Sequence, residues 1–252
     1  MYKILLCLCS ILCGHWAGAQ QSLVDSLEIR LQQSEGLEKA QLMHQLAGKY
    51  IGQEPPKALE YAQKAYEQAQ TLKNQPFMVD CQNRLGSVKV SLSAHAEALA
   101  YHRKALALAQ GIGDSSRVAE SLKFIGNAYY YLASYQDAVE YYYQAMQIYE
   151  RIQNVSGQSK ILNNLGNVFI EMGEYEKALQ YFEESFVIDQ RLKDTMGMMI
   201  SVNNIGNAYR GLKDHAKALE YYNRYLQMTQ EAQTRKGLTI VYNNIGEIYL
   251  EL

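Results

Sequence analysis

Proline, cysteine and clustered basic residues are all scarce in this chain, and each shortage argues against certain folds or functions. Only 3 prolines occur in 252 residues, which is typical of long helices because proline disrupts a helix interior. Lysine and arginine form no cluster and the formal net charge is -2, so we expect no nucleic-acid partner, which usually needs a concentrated basic face. Hydrophobic residues make up 48% of the chain, enough to build a packed core.

The 4 cysteines are unevenly distributed, because three of them fall within the first nineteen residues. Lys3 gives this segment a positive start, residues 4–13 form an apolar run, and Ala17-Gly18-Ala19 has the form of a cleavage site. The run is too short to cross a bilayer, which takes about 20 residues, so residues 1–19 are predicted to be a signal peptide. We expect export to the periplasm or cell envelope. The alternatives are a retained anchor, or lipid attachment at Cys7, Cys9 or Cys13, although each of these follows a leucine where a small residue is needed.

After removal of this segment Cys81 is the single thiol, so no intramolecular disulfide framework is available. No acid pair, His/Cys cluster or nucleophile with a paired base stands out, and we therefore expect no enzymatic activity, metal or cofactor. Residues 111–115 resemble a phosphate loop only superficially. In the repeat register Asp114 aligns with Asp194, so both are expected to cap helices.

An apolar residue followed by glycine recurs once in every forty positions of the sequence. The pairs are Leu85-Gly86, Ile125-Gly126, Leu165-Gly166, Ile205-Gly206 and Ile245-Gly246. Alanine follows the glycine by twelve residues in four of these copies, and Leu46-Ala47 begins an earlier one. The sequence predicts five units and an incomplete sixth over residues 37–252, after a capping helix over residues 20–36.

Each unit has the pattern of two helices. Tyr175, Ala178, Leu179, Phe182 and Phe186 form one apolar stripe with helical spacing, which a strand could not produce. The preceding helix is predicted to run from about Asp194 to Leu212 in its own unit, and Ser134 and Asp214 occupy N-cap positions. Tyr142, Tyr149 and Tyr222 fall on the packed stripe. The mid-helix glycines each cost about 1 kcal/mol relative to alanine, so we expect each to face the alanine twelve residues later across a close helix contact.

The segment Leu165-Gly166-x-x-Phe169, followed by Ala178-x-x-x-Phe182, resembles the tetratricopeptide signature. The resemblance covers about residues 37–252, with longer units, no tryptophan and no closing proline, and is similar to kinesin light chains and bacterial tetratricopeptide regulators. It implies an all-α, right-handed superhelical solenoid of antiparallel helix pairs, whose first helices line a concave face. It also implies a scaffold that binds a protein or peptide partner.

Asparagines recur on the predicted first helices, one residue after and three residues before the glycine. These two sets share one helix face, and a carboxamide both donates and accepts, so a ladder of them could hold an extended peptide backbone. The resemblance adds a partial carboxylate clamp at Lys123, but Ile200 and Asn204 stand where its basic residues belong, so an internal segment is expected. The predicted partner-binding residues are Lys123, Asn127, Tyr130, Asn163, Asn167, Asn203, Asn207, Arg210 and Asn243.

Two alternatives remain open from the sequence. The asparagines could instead be solvated or bond neighbouring helices, and that structural role is favoured for Asn164, Asn204 and Asn244. The chain could also be the extracytoplasmic sensory region of a bacterial histidine kinase or helix-turn-helix regulator, since its end lies inside a first helix with apolar residues Ile245 and Ile248. That reading includes a membrane tether through a C-terminal region beyond Leu252.

Overall fold

The computed structural model describes residues 23–232 and 235–251, without the side chains of residues 235 and 236. Throughout these ranges the chain forms helices and no strand. The predicted signal peptide at residues 1–19 lies outside the described residues. Of the predicted capping helix the structure describes α1, which covers residues 23–33. None of the described helices is long and apolar enough to cross a membrane.

Eleven further helices follow α1 within the described ranges, ten of them in antiparallel pairs. The pairs are α2 (Gly36–Tyr50) with α3 (Pro55–Thr71), α4 (Gln75–Ser91) with α5 (His95–Gly111), α6 (Ser115–Tyr131) with α7 (Tyr135–Arg151), α8 (Val155–Glu171) with α9 (Tyr175–Leu192), and α10 (Thr195–Gly211) with α11 (His215–Glu231). The last helix, α12 (Arg235–Glu251), is the first helix of a sixth unit. The predicted all-α array of helix pairs is confirmed.

From the turn between α3 and α4 to the turn between α10 and α11, the turns recur at equal intervals along the sequence, so each of these repeat units consists of two halves of equal length. Each of these eight turns has one residue in the left-handed conformation, with φ between 51° and 77°: Lys73, Ser93, Gly113, Ala133, Gln153, Gly173, Lys193 and Lys213. The next residue donates its backbone N–H to the carbonyl five residues back at 2.8–3.1 Å. This pattern is the Schellman motif, which satisfies the last carbonyls of a helix.

The residue that completes each turn is also the N-cap of the helix that follows. Asp214 accepts from the backbone N–H of Lys217 at 3.1 Å and Asp194 from that of Gly197 at 3.0 Å, as predicted. Asp114 caps α6 in the same way through Arg117 at 3.0 Å. Ser134 occupies the N-cap position of α7, but its side chain makes no capping bond.

The chain divides into two compact units, the first ending at Arg117 and the second beginning at Val118. In the first unit, α1 buries Val24 and Leu27 in the same core as Leu46 of α2. In the second unit the core includes Val202, Tyr222, Val241 and Ile248. Tyr142 and Tyr149 are also fully buried, so the predicted placement of these tyrosines in the core is confirmed.

Four of the five repeat glycines face aromatic or imidazole rings, so the prediction that alanine is their nearest partner is wrong. An added Cβ would lie 2.6 Å from the Tyr142 ring at Gly126, and 2.3 Å from the Phe182 ring at Gly166. The ring belongs to the residue sixteen positions after the glycine, and it approaches closest because helical side chains lean toward the N-terminus of their own helix. The glycines therefore accommodate large side chains rather than a small one. The same contact joins Gly86 to His102 and Gly206 to Tyr222.

Candidate polypeptide-binding face

All the predicted partner-binding residues lie in the second unit, on the first helices α6, α8, α10 and α12. Helix α8 contacts α10, and α10 contacts α12, so first helices of successive pairs lie side by side. The asparagines that follow the glycines are half-buried on these helices. The structure thus brings Asn127, Asn167 and Asn207 to neighbouring helices in equivalent positions.

Two of these asparagines are held by the tyrosine that covers the adjacent glycine. The Tyr142 hydroxyl donates to Asn127 Oδ1 at 2.7 Å, and the Tyr222 hydroxyl donates to Asn207 Oδ1 at 2.8 Å. Burial raises the pKa of Tyr222 to about 12, so this phenol keeps its proton. The bonds fix the oxygen of each carboxamide and leave the amide protons of Asn127 and Asn207 without an acceptor among the described residues.

Asn167 differs from its two equivalents because Phe182 replaces the tyrosine. Phe182 is fully buried over Gly166 but has no hydroxyl to donate. No side-chain hydrogen bond to Asn167 is found among the described residues, and the residue is half-buried. Both the donor and the acceptor of its carboxamide are therefore available to a ligand.

The asparagines that precede the glycines do not share one environment. Asn163 is only 8% exposed and its Nδ2 donates to Ser185 and, at 3.2 Å, to Ser201. Asn203 is half-buried and accepts from Asn244 at 2.8 Å, whereas Asn243 is exposed. In this row only Asn203 and Asn243 reach the surface, so Asn163 is not part of the predicted groove lining.

A buried polar cluster between α8, α9 and α10 accounts for the position of Asn163. Ser159 Oγ donates to Asp189 Oδ1 at 2.5 Å and lies 2.9 Å from Ser185 Oγ. Asp189 is 2% exposed, and burial raises the pKa of its carboxyl. An added Cβ at Gly197 would lie 2.5 Å from this carboxyl group. The cluster joins three helices through hydrogen bonds. The sequence pattern does not distinguish Asn163, which belongs to this cluster, from the asparagines on the surface.

Lys123 is not a free cation on this face. Its side chain is largely buried, its ammonium group lies 2.5 Å from Glu120 Oε1, and it sits 4.5 Å from the ring centre of Phe124. Burial lowers the pKa of Lys123, and Glu120 opposes that effect. Glu120 also accepts from the Tyr149 hydroxyl at 2.8 Å. A terminal carboxylate would have to compete with Glu120 for this lysine.

Tyr130 and Arg210 occupy equivalent positions, and each contacts an acid of the next first helix. The Tyr130 hydroxyl donates to Glu171 Oε1 at 3.3 Å, and burial followed by the Glu171 charge raises its pKa to about 12. Arg210 forms a salt bridge with Glu247. Both predicted residues lie at the edge of the asparagine face and are already paired.

The third row of asparagines bonds across successive first helices, which confirms the structural role favoured from the sequence. Asn164 Nδ2 donates to Asn127 Oδ1 at 3.0 Å, and Asn204 Nδ2 lies 3.5 Å from Asn163 Oδ1. Asn244 makes the equivalent bond to Asn203 described above. These carboxamides therefore align the helices on which the surface asparagines stand.

Sequence reasoning missed the tyrosine hydroxyls that hold Asn127 and Asn207. The signal was present, because tyrosine, phenylalanine and tyrosine occur fifteen residues after the three asparagines. Among the described residues no group of three His, Cys, Asp or Glu side chains could hold a metal ion. The available chemistry of this face is hydrogen bonding by carboxamides.

The sequence matches the family profile described as tetratricopeptide repeat over residues 79–151 and 157–231, more than half of the chain. The chain belongs to the tetratricopeptide repeat family. A comparison with curated protein sequences gives no significant match.

Several solved structures share the tetratricopeptide fold of this chain at low identity. A Rap protein complexed with Competence and Sporulation Factor is 17% identical with a TM-score of 0.67, covering 94% of this chain and 72% of that one. The Rap conjugation gene regulator of plasmid pLS20, in complex with the Phr* peptide, is 16% identical with a TM-score of 0.69 over 81% and 58%. Putative kinesin light chain TPR-like repeats from Podosopora anserina are 18% identical with a TM-score of 0.58 over 80% and 100%.

Proposed function

We propose that this tetratricopeptide array is a non-enzymatic scaffold that holds an extended polypeptide segment against α8 and α10. The observation that carries the proposal is the unpaired carboxamide of Asn167, which stands between the amide donors of Asn127 and Asn207. The peptide complex of the Rap conjugation gene regulator supports polypeptide as the ligand class for this fold.

The hydrogen-bonding groups favour recognition of peptide backbone over side chains. A carboxamide such as Asn167 can accept from a peptide N–H and donate to a peptide carbonyl. Asn127 and Asn207, whose oxygens are occupied by tyrosine hydroxyls, would donate to peptide carbonyls only. Each bond contributes modestly, about 0.5–1.5 kcal/mol, so affinity would require several units to act together.

The ligand is proposed to be an internal segment rather than a chain terminus. Lys123 is paired with Glu120, and Arg210 is paired with Glu247, so the face offers no unpaired cation of the predicted set to a terminal carboxylate. Asn203 and Asn243 would extend the contact toward α12. Lys123 and Asn163 are largely buried, so they would stabilise the helices that carry this face without contacting the peptide.

The proposal is tested with Asn167→Ala on an array of short synthetic peptides of varied sequence. We expect loss of captured peptide across sequences, because the removed group contacts backbone, while the far-ultraviolet circular dichroism is unchanged. Asn223→Ala is the matched control, since Asn223 is exposed on the second helix α11. Equal capture by both variants would remove Asn167 from the binding face.

Export is a separate part of the proposal and rests on residues 1–19. Expression of the full chain in a Gram-negative host with N-terminal sequencing of the cell-envelope fraction is expected to give a mature start at Gln20. Recovery of the protein with Met1 intact would contradict cleavage.

A sensory region of a bacterial signalling protein is the second candidate function, with a membrane tether beyond Leu252 as part of it. The exposed apolar side chains of α12, among them Tyr249 and Leu250, favour this function. They offer a surface through which ligand binding could be signalled to another part of the protein. The reading frame after codon 252 tests this: a membrane helix followed by a kinase or DNA-binding region supports it, and a stop codon contradicts it.

A further inference from the structure

One position of the first helices changes in chemical character between successive helix pairs, while the asparagine after the glycine stays the same. This position, here called the variable position, is occupied by Glu120 on α6, Lys160 on α8 and Ile200 on α10. It lies seven residues before that asparagine, about two helical turns, so the two positions share one helix face. The face therefore combines a constant carboxamide with a side chain that differs from helix to helix.

Lys160 presents a cation on this face. Its side chain is exposed, and its ammonium group forms no salt bridge or hydrogen bond with any of the described residues. Glu120, at the variable position of α6, is already paired with Lys123 and accepts from the Tyr149 hydroxyl. The charge of Lys160 is thus available to a carboxylate of a ligand.

Ile200 presents an apolar surface at the variable position of the next helix. Its side chain is 50% exposed and that of Met196, one helical turn earlier, is 56% exposed, whereas Met199 and Val202 of the same helix are buried in the core. Helices α8 and α12 both contact α10, so Ile200 is exposed with the first helix on either side in place. Met196 and Ile200 together are called the α10 apolar patch.

The spacing of the two helices determines which residues of an extended ligand can reach Lys160 and Ile200. Helices α8 and α10 contact each other, and the axes of packed helices lie about 8–10 Å apart. A peptide in the polyproline II conformation has three residues per turn and rises about 3.1 Å per residue, so residues three apart point the same way at a distance of about 9 Å. A segment that crosses α8 and α10 would therefore place one such pair at the two variable positions.

We propose that the polypeptide held against α8 and α10 carries an acidic side chain that pairs with Lys160 and, three residues away, a large apolar side chain that packs on the α10 apolar patch. This inference rests on the function proposed above, in which the asparagines hold the peptide backbone. The variable positions then select the sequence. Charge complementarity to Lys160 and burial of apolar surface on Met196 and Ile200 define the ligand.

The probes are short, fluorescently labelled peptides with one aspartate and one leucine at varied separations and in both orders. Their C-termini are amidated, which removes the terminal charge and leaves the side chain as the carboxylate. Fluorescence anisotropy with the full chain is expected to show the tightest binding at a separation of three. Equal binding at all separations, or binding that requires a free terminal carboxylate, overturns the proposal.

Ile200→Ser tests the α10 apolar patch. It is expected to weaken binding of the leucine peptide at least about tenfold, the scale of a buried anchor residue, and to leave binding of a peptide with alanine in place of leucine unchanged. Val187→Ser is the matched control, since Val187 is exposed on the second helix α9, and it is expected to bind as the parent chain does. Parental binding by Ile200→Ser would contradict the proposal.

Lys160→Glu tests the charge. The variant is expected to prefer a peptide with lysine in place of aspartate by about threefold, the scale of an exposed ion pair, and this preference should fade at high salt. Lys104→Glu, at an exposed position of the second helix α5, is expected to keep the parental preference for aspartate. An unchanged preference in Lys160→Glu would exclude Lys160 from the contact.

Asn167→Ala separates failure of this inference from failure of the proposed function. Weaker binding by Asn167→Ala, with parental binding by Ile200→Ser and Lys160→Glu, would overturn sequence selection and keep the backbone-binding face. The opposite result would keep sequence selection and remove Asn167 from the site. Sedimentation equilibrium without peptide is expected to show a monomer, and a dimer that Ile200→Ser dissociates would assign the patch to a second copy and overturn the peptide as its occupant.

Discussion

In the pairs α6–α7, α8–α9 and α10–α11, the aromatic residue over the repeat glycine also determines the hydrogen bonding of the asparagine next to that glycine. Tyr142 and Tyr222 each fill the space over a glycine and hold an asparagine oxygen through the phenol. Phe182 fills the same space without holding Asn167. A buried side chain of the second helix thereby determines which carboxamide of the first helix is available to a ligand.

Phe182→Tyr tests this link from the core to the surface. The new hydroxyl is expected to donate to Asn167, raise the free energy of unfolding by about 0.5–1.5 kcal/mol, and reduce peptide capture. Tyr142→Phe should lower stability by a similar amount, measured by urea unfolding. A Phe182→Tyr chain with parental stability and capture would show that the hydroxyl does not reach Asn167.

Gly166→Leu tests the packing of the repeat glycines. Its Cβ would lie 2.3 Å from the Phe182 ring, so the helices must separate, at a cost of about 1–3 kcal/mol. We expect a clearly lower midpoint of thermal unfolding, followed by circular dichroism. Gly111→Leu adds the same side chain in open space and is expected to unfold at or above the parental midpoint, so equal midpoints for the two variants would refute the assignment.

At the scale of the element, the polar cluster between α8, α9 and α10 introduces a pH dependence. Burial raises the pKa of Asp189 above its ordinary value of 3.8, so the folded chain binds this proton more tightly than the unfolded chain does. The stabilisation by the protonated form is present below that ordinary value and is lost as the pH rises through the raised folded pKa. At neutral pH the buried charge is therefore a net cost.

Asp189→Asn replaces the acid with a neutral group of the same shape. Relative to the parent chain, its free energy of unfolding is expected to increase as the pH rises from about 4 and then to level off above the folded pKa. Urea unfolding across this range measures the difference, and exposed Asp137→Asn provides the comparison. A difference that stays constant with pH would show that Asp189 titrates equally in both states.

The helices and their pairing could be predicted because many residue types recur in phase from one unit to the next. The partner of the glycine could not, because it depends on how far a ring reaches across a helix pair, and Ala178 is too short to make the contact that Phe182 makes. The positions of the asparagines on the first helices could be predicted from their spacing, whereas their role in binding stays a prediction. Asn167 and Asn207 are half-buried on these helices, whereas Asn163 is buried because Ser185 of α9 and Ser201 of α10 provide it with polar partners.

At the scale of the whole molecule, the single cysteine outside residues 1–19 reports on opening of the fold. Cys81 is fully buried in α4, and burial raises the pKa of its thiol to about 12, so little thiolate forms in the folded chain. In a chain that begins at Gln20, alkylation at pH 8 is expected to be slow without denaturant and fast in guanidinium chloride. Mass spectrometry measures the modified fraction, and rapid labelling of the folded chain would contradict burial of this thiol.

The eight evenly spaced turns have a consequence for how such a chain can change in length. Each of these eight turns has the same backbone form with one left-handed residue, whose type varies from turn to turn, so any two of them that lie one whole repeat apart are interchangeable. A DNA segment that encodes one such interval can be copied or lost in frame, and each remaining helix still meets a partner of the right type. The length of the array can therefore vary in whole repeats, by recombination alone, without any new sequence at the junction.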